Sequence, residues 1–111
     1  MLYTSYFSNW RKFPDGYKKV SISRFPPRGF DGVNFDVLSP SKDLLYRYKT
    51  GITNQNEYTR EFVNYLFTLD KHKILSILNN IGENLILCCY EKPTDLCHRH
   101  LVGEWLNIKE L

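Results

Sequence analysis

The run Leu85-Ile86-Leu87-Cys88-Cys89-Tyr90 most constrains what this chain can fold into. A strand with one wet face alternates apolar and polar residues; this run does not. It reads as a strand from Asn84 to Tyr90 covered on both faces, the environment of a parallel sheet. The next five residues, Glu91-Lys92-Pro93-Thr94-Asp95, are polar, and then Cys97-His98-Arg99 opens a helical pattern. A buried strand therefore runs through a polar loop into a helix start. In open α/β sheets, ligands bind beyond the carboxyl ends of the strands.

The rest of the chain supplies matching elements. Leu2 to Tyr6 reads as a strand, and so does Lys19 to Ser23, with Val20 and Ile22 as its apolar members. Pro14-Asp15-Gly16 marks a turn, and Pro26, Pro27, Gly29 and Gly32 make the next stretch irregular. Ser39-Pro40-Ser41 starts a helix over Lys42 to Lys49, which Gly51 stops. Tyr58, Phe62, Tyr65, Leu66 and Leu69 recur at helical spacing within Thr53 to Leu69. Asp70 caps a further helix from Lys71 to Asn80, ended by Gly82. The last helix runs from His98 to about Ile108, with Leu101, Val102, Trp105 and Leu106 inward. Strands alternating with helices predict an α/β fold of two or three layers, a short, mostly parallel sheet flanked by about four helices.

At 111 residues the chain has room for one domain, 1–111. Its eight Tyr and seven Phe supply large side chains for a core that folds without staples. The net charge of +3 is spread over scattered Lys and Arg, which read as solvated surface. That suits a small anionic ligand and makes nucleic acid a weaker candidate partner, because a clustered basic stripe is missing. Three cysteines, two of them adjacent, make a poor disulfide framework. No leader pattern or membrane-length apolar run is present, so a reducing cytoplasm is the expected compartment and no membrane the expected partner.

The strand ends carry the candidate chemistry. Free N–H groups at a helix start favour an anion and also a Cys thiolate. Arg99 has two readings: it grips a phosphate or carboxylate with its planar fork, or it pairs with Glu91 and the loop carbonyls. Arg24, just past the second strand, is a second ligand-binding candidate, and Ser5 near the end of the first is a third. If the strands are parallel, Ser5, Arg24 and Glu91 emerge at one edge. Glu91 is then a base, a nucleophile or a clamp for a sugar hydroxyl, and Cys97 either attacks or shapes the loop. Cys89 and His98 complete the candidate ligand set, although packed core thiol and hydrogen-bonding scaffold are the plainer readings of these two. Cys88 reads as core, and Trp10 and Tyr6 either pack or stack on a base. Cys89 and Cys97 lack the short pair spacing of a structural zinc site, so no metal and no cofactor is expected.

Cys89-x-Glu91-Lys92, four residues, then Cys97-His98-Arg99 resembles the signature of the domain of unknown function 488 family. Ser23-Arg24-x-Pro26 is similar to that family's earlier Arg-Pro motif, and Tyr3-Thr4-Ser5 and Ser41-Lys42-Asp43-Leu44-Leu45 also look like its shorter members. The resemblance implies a compact α/β fold and no settled reaction. His100 stands where many longer relatives carry Ser. Three functions remain: a nucleotide- or nucleoside-directed enzyme, a module that captures a small anionic ligand unchanged, and a nucleic-acid-binding protein.

Overall fold

The computed structural model describes residues 1–90 and 98–111. Strands β1 (Leu2–Tyr6), β2 (Lys18–Ser21), β3 (Val33–Asn34), β4 (Leu85–Cys89) and β5 (Lys109–Glu110) form one sheet in the order β3-β2-β4-β1-β5. Every pairing is parallel, so the expected α/β class with a parallel sheet is what the chain adopts. β4 lies in the middle and all five of its residues are buried, as its unbroken apolar run requires. The sheet has two strands more than the sequence suggested. Both are two-residue edge strands of exposed residues, too short to leave a pattern.

Four helices, α1 (Lys42–Lys49), α2 (Gln55–Phe67), α3 (Lys71–Ile81) and α4 (His98–Leu106), adhere closely to their local signals. The Ser41 hydroxyl accepts from Leu44 N–H and the Asp70 carboxylate from Lys73 N–H, each satisfying a free first-turn donor. Asn54 and Glu57 form a reciprocal capping box, which starts α2 two residues later than its apolar period suggested. α4 ends at Leu106 because Asn107 takes a left-handed conformation, φ 58°, and the Ile108 N–H turns back to the Gly103 carbonyl. The short 3₁₀ segments Phe7–Lys12 and Asp36–Leu38 gave no sequence signal.

The register sorts the sheet's side chains into two faces. Val20, Ile22, Leu85, Leu87 and Cys89 pack with Leu44, Phe62, Leu66, Leu78, Val102 and Leu106 of the helices. Lys19 and Cys88, of opposite parity, face the segments around residues 7–13 and 27–31. The topology explains this division. Chain passages from β3 to β4 and from β4 to β5 move one way along the sheet and carry all four helices. Passages from β1 to β2 and from β2 to β3 move the other way. Crossovers of one hand that travel in opposite directions must lie on opposite faces.

Candidate functional site

β2 and β4 are neighbours, yet the chain leaves them on opposite faces: β2 toward residues 27–31, β4 toward α4. Neighbouring strands that diverge in this way open a crevice at their carboxyl ends. A cavity of about 490 Å³ lies there, lined by Ser23, Arg24, Lys49, Tyr48, Tyr90 and His98, among others. That is the size of a small-molecule site. Two cations contribute to its wall, and among the described residues no carboxylate does.

Arg24 is held without being buried. Its Nε donates to the Pro40 carbonyl at 3.2 Å and one terminal nitrogen meets Asp36 Oδ2 at 3.5 Å. The other terminal nitrogen has no partner among the described residues. Ser23 is buried at the strand end, with its hydroxyl 3.4 Å from the Phe25 carbonyl. Tyr48 stacks at 4.6 Å on Tyr58, which keeps this wall aromatic. Lys49, in the last turn of α1, is exposed.

His98 is built into the frame of this cavity. Its Nε2–H donates to the Ile22 carbonyl at 2.6 Å, and its ring meets Phe62 edge-on at 5.5 Å. The bond ties the first residue of α4 to the end of β2. Burial pushes the imidazole down to about 4, with Arg99 and His100 adding a smaller push and the Ile22 bond opposing. A neutral donor aimed at a carbonyl is a scaffold role, one of the two readings the sequence left open.

Arg99 lies inside the domain with no exposed surface. Its Nε donates to Glu110 Oε1 at 3.1 Å, one terminal nitrogen approaches Cys89 Sγ at 3.3 Å, and its guanidinium lies over the Tyr6 ring at 5.6 Å. His100 Nδ1 reaches the same carboxylate at 3.3 Å. The basic cluster at the start of α4 is thus neutralised by β5, the terminal strand. Glu110 is the residue sequence reasoning missed. An exposed-looking Lys-Glu pair at the chain's end carries no signal for this.

The remaining candidates divide. Ser5 is buried on the face away from the helices, its hydroxyl accepting from Asn9 at 3.1 Å, and it does not line the cavity. Cys89 is buried on the helix face and disulfide-bonded, against the expectation of a chain without disulfides, whereas Cys88 is free. Burial raises the Cys88 thiol to about 12, far from a reactive thiolate. Glu91 and Cys97, the candidate catalytic residues, lie outside the described residues.

A parallel α/β domain with a basic crevice between diverging strands is the class that fold and site define. Within that class, the family model described as the active DUF488-N3 subclade matches residues 5–110, and the chain belongs to the DUF488 family. No curated protein matches the chain, and no solved structure does. No helix among the described residues is long and apolar enough to cross a membrane.

Proposed function

We propose that this protein binds a small anionic, nucleotide-like ligand in the crevice between the carboxyl ends of β2 and β4. The observation that carries the reading is the meeting of Arg24 and Lys49 in a cavity whose described lining holds no carboxylate. Arg24 supplies the specific contact. Two of its donors are spent on Pro40 and Asp36, which fixes the guanidinium plane and leaves donors for a phosphate or carboxylate. Lys49 adds a less directional charge. Tyr48, Tyr58 and Tyr90 supply aromatic walls.

In this reading Arg99 and His98 hold the site rather than touch the ligand. Arg99 is fully buried against Glu110 and Cys89, and the buried His98 holds the Ile22 carbonyl. His98 then fixes the segment just past β2 from which Arg24 projects. A thermal-shift screen against ribonucleoside monophosphates, inorganic phosphate and sugar phosphates tests it. A ligand bound only by the folded form raises the melting temperature. The shift disappears in Arg24→Gln and survives Lys71→Gln, a distant surface control. A panel without any shift refutes the reading.

Turnover of that ligand is the second reading, favoured by the chain's match to the active DUF488-N3 subclade. Glu91, in the segment after β4, is the candidate base, nucleophile or sugar clamp. Glu91→Gln keeps ligand binding and abolishes turnover if this reading holds. Recovery of the ligand chemically intact after prolonged incubation with wild type reduces the protein to a capture module.

A further inference from the structure

A second and larger cavity, about 640 Å³, opens on the sheet face away from the helices. Its walls are aromatic: Phe7, Trp10, Phe13, Phe30 and Tyr90 all contribute. Phe7 anchors the group, meeting Phe30 at 5.3 Å and Tyr90 at 4.9 Å, both edge-on. Trp10 is more than half exposed, an unusual position for the largest apolar side chain unless it serves a surface. Lys19 and Asp31 form an ion pair on the cavity wall, placing donors and an acceptor side by side.

Tyr90 lines both this cavity and the basic crevice of Arg24. It is the first residue past β4, and its hydroxyl donates to the Phe25 carbonyl, in the segment between the two cavities. The aromatic cavity and the basic crevice therefore adjoin across the carboxyl edge of β2 and β4. An aromatic slot with one paired donor and acceptor suits a flat heterocycle with polar edges. A cationic crevice beside it suits a phosphate.

We infer that the aromatic cavity is the base-binding half of a single nucleotide site, the base stacking among Trp10, Phe30 and Tyr90 while the phosphate lies with Arg24. The inference rests on the anionic-ligand reading of the Arg24 crevice and adds what the rest of the ligand is. Stacking on aromatic side chains is tolerant of base identity, so discrimination among bases falls to the Lys19–Asp31 pair.

Calorimetric titration with the four ribonucleoside 5′-monophosphates and with ribose 5-phosphate tests it. At least one monophosphate binds wild type about tenfold more tightly than ribose 5-phosphate, the gain expected of a stacked base. Trp10→Leu, at an exposed position that does not endanger folding, removes that advantage and leaves ribose 5-phosphate affinity unchanged. Arg24→Gln weakens the monophosphate and ribose 5-phosphate alike. Equal affinities in wild type overturn the inference and leave the Arg24 reading standing. A base advantage that survives Trp10→Leu also overturns it, because the base then stacks elsewhere. No binding of any of the five compounds overturns the Arg24 reading and this one together.

Discussion

His98 makes the stability of this domain depend on pH in a range that lies mostly above the carboxylates. Its imidazole is held at about 4, against 6.5 for the free side chain, chiefly by burial. Between those values the unfolded chain takes up a proton that the folded chain refuses, so stability falls as pH falls. The full contribution is present above pH 6.5 and drains toward pH 4. Each unit is worth about 1.4 kcal/mol, so acidification from pH 7.5 to 5 costs about 2 kcal/mol. Asp31 and Glu61, whose carboxyls are lowered by hydrogen bonds from Lys19 and Arg47, lose their contribution as pH falls through the ordinary carboxylate range and below it, so little of that loss falls between pH 7.5 and 5. Urea unfolding at both pH values measures the loss directly. His98→Gln is the control: its amide reaches the Ile22 carbonyl from the same position and does not titrate. The variant starts lower at pH 7.5, having lost the ring contact with Phe62, and falls by about 2 kcal/mol less than wild type on acidification. Parallel losses in the two proteins would show that His98 titrates normally, and the neutral, buried scaffold role would be wrong.

Other perturbations probe the frame around the site. Glu110→Ala removes the carboxylate shared by Arg99 and His100; with Arg99 fully buried, unfolding free energy drops by about 2–3 kcal/mol, below the full cost of a broken buried pair because Glu110 is itself partly exposed. Stability unchanged by that substitution would mean Arg99 needs no partner at β5. Gly32→Ala drives a methyl group into the Lys19 carbonyl oxygen, backbone that cannot swing away, so the β2–β3 edge shifts and the melting temperature drops by several degrees. A wild-type melting curve would contradict that close approach. Asn54→Ala removes one half of the α2 capping box and costs about 1 kcal/mol in urea unfolding, with a null effect counting against the cap.

The sequence by itself determined the elements that carry strong local chemistry. The β1 span from Leu2 to Tyr6 and the α1 span from Lys42 to Lys49 were both legible to the residue, and Ser41 and Asp70 cap the helices their positions predicted. The unbroken apolar run of β4 announced a central parallel strand, because only burial on both faces tolerates it. Arg24 past the end of β2 was legible as a candidate for the same reason: a cation just beyond a buried strand must stand at the sheet's edge. Partnership was not legible. Arg99 and Glu110 are eleven residues apart, and only the parallel pairing of β5 with β1 brings the carboxylate under α4. Whether His98 faced a ligand or a carbonyl depended on where β2 ended, and Ser5 and Cys89 went to opposite faces by register alone. The two edge strands, two residues each, exist only because neighbours lend them hydrogen bonds. Local interactions are written in adjacent residues, whereas the contents of a crevice depend on strand order and crossover direction, which are settled only when the whole sheet is assembled.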